Sequence, residues 1–247
     1  TLNINNNNFK ISDRESLWDG ETLYDLYSKA HTPWEWHEPI INHAQKKGII
    51  CFSSPFDESA VEFLEKLNVP AYKIASFECI DIPLISKIAE TGKPIIISTG
   101  MATEQEISEA VRAAKSASSK DLAILKCTST YPALPTNTNL QTIQDMRSKF
   151  KCEVGLSDHT KGIGVSLAAI SFGATIIEKH FTLDRADGGV DSEFSLEPDE
   201  LKSLVIESQS AWQAIGNIHY GCTNDETNSL KFRRSIFVTE DLRAGDI

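Results

Sequence analysis

Hydrophobic positions along the chain fall into two alternating patterns. Short, nearly continuous apolar runs rich in Ile, Val and Leu occupy residues 48–53, 71–75, 94–98, 122–127, 152–156 and 174–179. Between them lie stretches in which apolar residues recur three or four apart, at 58–67, 82–91, 104–116, 140–150 and 162–172, with a further helical stretch at 34–47 before them and one at 198–215 after. A run apolar at every position suits a strand covered on both faces, and the three-to-four spacing suits a helix with one buried stripe. The chain therefore reads as six consecutive βα units, which predicts a parallel sheet with its helices outside.

A doubly wound sheet is the competing architecture, but no GxGxxG follows any of the runs. Polar side chains instead recur where the strands end: Ser53-Ser54, Lys73/Ser76/Glu78, Ser98-Thr99, Thr128-Ser129, Ser157/His159 and Lys179/His180. A barrel gathers all its strand ends at one mouth, where barrel active sites sit. The expected fold is a (β/α)8 TIM-type barrel. Eight strands are needed and six are counted, so two N-terminal strands are expected to be missing. Residues 233–247 begin a strand-and-turn pattern that stops abruptly.

A length of 247 residues suits such a barrel as one domain. The net charge of −11 argues against nucleic acid or an anionic membrane as partner, without excluding a small anionic substrate. No run of 18 apolar residues exists, and the Asn5 to Asn8 tract lacks the apolar core of a signal peptide. Five cysteines, at 51, 79, 127, 152 and 222, form no CxxC pair, which predicts reduced thiols and a cytoplasmic protein.

His159 and His180 close two successive strands joined by a helix, so the strands are expected to be parallel and adjacent. At a strand spacing of about 4.8 Å both imidazoles could reach one ion, the alternative being one capping and one exposed histidine. Lys73 falls inside a strand, where an unpaired ammonium is costly, and a phosphate or carboxylate from a ligand would satisfy it. Ser76, Ser98, Ser129 and Ser157 add hydroxyl donors suited to phosphate oxygens, the alternative being helix caps. Glu78 at the same rim is a candidate acid, base or sugar-hydroxyl ligand. The glycines of 185–195 predict a flexible loop over the mouth, with Asp191 facing the substrate. Trp18, Tyr27, Trp34 and Trp36 are expected to pack the lower helices rather than bind ligand.

Five motifs, in one order over residues 48–198, resemble the sialic acid synthase family. They are Tyr72-Lys-Ile-Ala-Ser-Phe-Glu78, Lys93-Pro-Ile-Ile-Ile-Ser-Thr-Gly-Met101, Lys126-Cys-Thr-Ser-Thr-Tyr-Pro132, Gly155-Leu-Ser-Asp-His-Thr160 and Glu178-Lys-His-Phe-Thr-Leu-Asp184. Within the family, the stretch from Leu17 to Tyr27, Cys51-Phe-Ser-Ser-Pro-Phe-Asp57 and Asp191-Ser-Glu-Phe-Ser195 most resemble the pseudaminic acid branch. Neuraminate enzymes typically carry Gly-Pro-Asp-His where this chain has Gly189-Val-Asp-Ser192.

The resemblance implies condensation of phosphoenolpyruvate with an open-chain acetamido sugar, here a 6-deoxy-2,4-diacetamido hexose, with release of inorganic phosphate. It implies a divalent metal, Mn2+ or Mg2+, held by His159 and His180. It matches Lys73, Ser76, Ser98 and Ser157 to phosphoenolpyruvate contacts, and Glu78, Tyr131 and Asp191 to positions near the sugar. Ser129 stands where neuraminate enzymes have Asn, and Lys179 matches a basic position of structural character. Lys73 and Glu78 are the expected catalytic residues. The implied organisation is an N-terminally incomplete barrel over 1–222, then a linker and the start of a truncated antifreeze-like (SAF) domain over 223–247. A domain-swapped homodimer is implied for the full-length protein. Neuraminate or legionaminate synthesis, a Schiff-base aldolase using Lys73, and an inactive truncated sugar-binding paralogue are the alternatives.

Overall fold

A computed structural model describes residues 6–14, 18–116 and 121–245. Leu17, Asn5 and the last two residues of the 233–247 pattern lie outside the described residues. The chain divides into two compact units, Thr1–Ala214 and Ile215–Ile247.

In the first unit, α1 (Leu23–Ala30), α2 (Trp34–Lys46) and α3 (Glu58–Lys66) precede a regular alternation: β1 (Tyr72–Ile74), α4 (Ile82–Ala89), β2 (Ile95–Ser98), α5 (Glu104–Ser116), β3 (Leu122–Cys127), α6 (Thr142–Phe150), β4 (Glu153–Asp158), α7 (Gly164–Ser171), β5 (Ile177–Lys179) and α8 (Pro198–Ile215). Helix starts follow local chemistry. The side chains of Thr22, Asp57 and Asp81 accept hydrogen bonds from the backbone N–H of Asp25, Ala60 and Leu84, satisfying donors that α1, α3 and α4 cannot satisfy internally.

The five strands form one parallel sheet in sequence order. Tyr72, Ile74, Ile95, Ile97, Ile124, Val154 and Leu156 are all buried in the core shared with the helices. The register puts Lys73 level with Ile96, Ser98 with Leu125, Cys127 with Ser157, and Ser157 with Glu178. Because side chains alternate between faces, Lys73, Ser98, Cys127, Ser157 and Glu178 share the face opposite that core. In a flat sheet β1 and β5 would stand about 19 Å apart. Lys73 Nζ nevertheless lies 3.5 Å from Glu178 Oε2, so the sheet is curled into a half-barrel around this face.

Two expectations about strands are corrected. The run at 48–53 forms no strand. It makes one parallel bridge, Ser53 to Tyr72, and a hydrogen bond from Lys73 N to Ser53 O at 3.3 Å. Ile49 and Ile50 remain 62% and 75% exposed, so this run lacks the two-sided burial its apolar character anticipated. In the second unit, the only regular element among the described residues is a 3-10 turn at Thr227–Phe232. The strand pattern expected from 233 onward is absent among the described residues, and Ile236, Phe237 and Val238 are exposed. A single apolar run without a pairing partner has no ladder to join.

Candidate active site

The carboxyl ends of β1 to β5 converge. Lys73, from β1, is 8% exposed and donates to Ser98 Oγ at 2.8 Å and to Ile74 O at 3.0 Å. Glu178 of β5 supplies an opposite charge from within the chain, across the curl. Glu178 also accepts from Ser157 Oγ at 2.6 Å. A buried cation beside a hydroxyl and a half-exposed carboxylate suits an incoming phosphate or carboxylate, which can take over the pairing.

A second chain of hydroxyls runs beside the first. Ser129 Oγ donates to Ser76 Oγ at 2.8 Å and lies 3.5 Å from Cys127 Sγ. Gly100, directly after Ser98-Thr99, permits this closeness: a Cβ there would lie 2.6 Å from Ser76 Cβ and 2.7 Å from Ser129 Oγ, on a backbone with φ of +51°.

The histidines meet as expected. Their ring centroids are 5.2 Å apart, with Tyr131 4.4 Å from His159 and Phe194 4.9 Å from His180. His159 is held by its neighbours. Asp158, pointing to the opposite face, accepts from Thr160 N (2.8 Å), Thr160 Oγ1 (2.7 Å) and Ser166 Oγ (2.6 Å), and pairs with buried Lys179 at 3.3 Å. Lys179 also donates to Thr160 O. This clamp fixes the turn in which His159 follows the carboxyl end of β4, and Ala133 N donates to His159 O at 3.0 Å from the loop carrying Tyr131. Lys179 is therefore structural in its contacts.

His159 Nδ1 lies 2.9 Å from the Thr128 carbonyl, which can only accept. In the neutral ring Nδ1 therefore carries the hydrogen and Nε2 the lone pair, the arrangement a metal-binding imidazole needs. His180 Nδ1 sits 3.3 Å from Asp191 Oδ2, so Asp191 orients the second ring. The pair fits a divalent ion completed by ligands from elsewhere; no group of three or more His, Cys, Asp or Glu side chains suited to an ion occurs among the described residues.

Glu78 lies half-buried in the turn after β1. Its Oε2 is buried without a hydrogen-bond partner among the described residues. Burial pushes its carboxyl up, Asp81 adds to this, and Lys73 opposes it. A carboxyl so placed can carry a proton nearer neutrality than an ordinary glutamate. Burial likewise holds the Tyr131 phenol up at about 12, so it stays a donor.

Three aromatic residues depart from expectation. Trp18 lies 5.6 Å from Tyr131, and its Nε1 donates to Val190 O at 3.0 Å, which places it over the mouth. Tyr27 is 49% exposed and close enough to Glu78 for that carboxylate to raise its phenol, after burial, above the usual value. Trp36 is 57% exposed and packs little; Trp34 does pack, stacked on Phe63 of α3 at 4.4 Å. Glu178 and Cys127 are site residues that the sequence reading quoted within motifs without giving them a role. Their inward placement follows from the register of β3, β4 and β5, which the sequence does not supply. The five cysteines are free, with Cys79 and Cys127 buried and Cys222 exposed. No described helix is long and apolar enough to cross a membrane.

Known proteins resemble this chain in sequence and in fold. The pseudaminic acid synthase of Campylobacter jejuni subsp. jejuni is 42% identical over 247 residues, covering all of this chain and 71% of that protein. The N,N'-diacetyllegionaminic acid synthase of the same organism is 39% identical over 230 residues, covering 92% of this chain and 69% of that protein. Among solved structures, the N-acetylneuraminic acid (sialic acid) synthetase of Leptospira borgpetersenii serovar Hardjo-bovis in complex with citrate superposes with a TM-score of 0.78. It is 35% identical, over 85% of this chain and 73% of that one. The NeuB family matches residues 1–220. On that match, and on the agreement of sequence and fold with it, the chain belongs to the NeuB family of sialic acid synthases.

Proposed function

We propose that the protein condenses phosphoenolpyruvate with the open-chain form of a 6-deoxy-2,4-diacetamido hexose, giving pseudaminic acid and inorganic phosphate. The observation that carries this reading is the meeting of an anion-ready cluster, Lys73, Ser98, Ser157 and Glu178, with two adjacent imidazoles at one sheet end. The choice of sugar follows the 42% identity to a pseudaminic acid synthase over the whole chain. Phe194 beside His180 adds apolar surface.

Carbon 3 of phosphoenolpyruvate attacks the aldehyde carbon, and cationic character develops at carbon 2. Water adds there, and the tetrahedral intermediate expels phosphate by C–O cleavage. Lys73 and the hydroxyls of Ser76, Ser98, Ser129 and Ser157 hold the phosphate and carboxylate, so the enol carbon is presented in one orientation. Glu78, with its raised carboxyl and unpartnered Oε2, handles the proton of the attacking water. Tyr131 and Asp191 flank the sugar. His159 and His180 would hold a divalent ion, Mn2+ or Mg2+, whose chemistry when bound is Lewis-acid polarisation of the aldehyde oxygen. The reading carries with it a cytoplasmic location and a domain-swapped homodimer.

The test is phosphate release by the purified protein with phosphoenolpyruvate, Mn2+ and either the diacetamido sugar or N-acetylmannosamine. Preferential turnover of the first supports the assignment, and preferential turnover of the second makes the protein a neuraminate synthase. Borohydride trapping of pyruvate on Lys73 would replace condensation with aldolase chemistry. Lys73→Ala should raise the phosphoenolpyruvate requirement roughly ten- to a hundredfold, the weight of one charge-assisted contact, with little effect on the sugar requirement.

A further inference from the structure

The segment ahead of α1 takes no part in the chemistry above, yet its Trp18 lies on the site. It is closed by the antiparallel bridge Lys10 to Thr22. Hydrogen bonds from Ile11 N to Glu21 O (2.8 Å) and from Gly20 N to Ile11 O (2.9 Å) reinforce it. Trp18, within the closed segment, is half-buried. Its indole N–H donates to Val190 O at 3.0 Å, 172 positions away in sequence. Its ring lies 5.6 Å from Tyr131, inclined by 43°. Tyr131 in turn lies 5.7 Å from Phe194 and 4.4 Å from His159.

Val190 immediately precedes Asp191, whose carboxylate sits beside His180. The indole therefore ties the segment ahead of α1 to the loop that orients one of the two imidazoles, and completes an aromatic wall with Tyr131 and Phe194. Tryptophan suits both tasks, offering a large apolar face and one directional donor.

We propose that Trp18 is a specificity-determining residue. It latches the loop of residues 184–197 over the acceptor subsite and presents an apolar surface to the deoxy methyl or an acetamido methyl of the sugar. The sugar specificity rests on the condensation reading; the latch does not. Phosphoenolpyruvate is held by Lys73 and the serines, whereas the indole bonds to Val190 and packs on Tyr131, so loss of the indole should separate the two substrates.

Two measurements on Trp18→Ala and Trp18→Phe test this. The first is steady-state turnover with both sugars. Trp18→Ala should raise KM for the diacetamido hexose about tenfold, the weight of one hydrogen bond and one ring contact, while KM for phosphoenolpyruvate stays within about twofold. Preference over N-acetylmannosamine should fall, and Trp18→Phe should retain part of it. Equal changes in both KM values, or unchanged sugar preference in an active protein, would overturn the specificity role and leave the condensation reading intact. The second is amide hydrogen exchange, which needs no turnover. Exchange in 184–197 should accelerate in Trp18→Ala while β2 amides keep their protection. If the natural protein turns over neither sugar, the condensation reading fails and takes the sugar role with it. Unchanged exchange in 184–197 would overturn the latch.

Discussion

Replacing Glu178 by Gln should destabilise the protein by about 2 kcal/mol, and replacing Lys73 by Met by about half as much. The asymmetry comes from burial. The Lys73 side chain is 10% exposed and that of Glu178 is 38% exposed, with 3.5 Å between the charges. At that separation, with an effective dielectric near 20, the attraction is roughly 4.7 kcal/mol. A carboxylate more than one-third exposed loses about half of this to solvent screening, which leaves the 2 kcal/mol. Glu178→Gln strands a buried ammonium with only Ser98 Oγ and Ile74 O to accept from it. Lys73→Met leaves a carboxylate that keeps the Ser157 hydroxyl and reaches water, and the methionine restores most of the apolar stem. The double variant should be more stable than the summed single effects by about 2 kcal/mol, the coupling of the pair. Phosphate or phosphoenolpyruvate should raise the melting temperature of Glu178→Gln more than that of the natural protein, because the anion supplies the missing charge. Urea unfolding at neutral pH and low salt measures the series. A Glu178→Gln variant as stable as the natural protein, or a Lys73→Met variant that costs more, would refute the assignment of the buried charge.

His159→Ala or His180→Ala should abolish Mn2+-dependent phosphate release with circular dichroism unchanged, and near-normal turnover in either would remove the metal assignment. Glu78 has its carboxyl raised above the ordinary 4.5, so its stability contribution is complete below 4.5 and is lost as pH rises through the folded value. Glu78→Gln should therefore melt higher than the natural protein at about pH 7, with the gap closing toward about pH 4; a gap independent of pH would contradict the burial argument. Gly155→Ala places a Cβ 2.3 Å from Ile176 O and 2.7 Å from Leu125 Cδ2. Since Ile176 O accepts from Leu156 N, the β4–β5 ladder must move, at a cost of about 3 kcal/mol by urea unfolding. An unperturbed midpoint would mean that the register differs.

Much of the βα alternation was readable because buried parallel strands are apolar at every position. The strands from β1 to β5 fall inside the predicted runs or within two residues of them. The site's main pairing was not readable in the same way. Glu178 and Lys179 are adjacent charged residues on a three-residue strand, so the sequence does not say which shares the face of Lys73, and the curl that joins them depends on register between distant strands. The run at 48–53 was misread for a related reason: apolar character does not supply a second neighbour, and Ser53 makes a single bridge. Trp18 is not legible as a site residue because its segment carries no periodic pattern, and its place follows from long-range contacts with Val190 and Tyr131. The histidines were legible because each follows directly on a strand that the pattern had located.

The contact between Lys73 and Glu178 also bears on how the chain acquires its fold. Every strand pairing in the sheet joins sequence neighbours, whereas these two residues lie more than a hundred positions apart. Contacts between near neighbours cost little loop entropy and form early, while closure of the longest loop comes late. A partly assembled sheet ending at β4 would contain Lys73 and Ser98 but not Glu178 or His180, and would lack one side of the anion site. The ability to hold an anion should therefore emerge only at the final stage of refolding, so that ligand binding reports completion of the architecture and draws the last closing step forward.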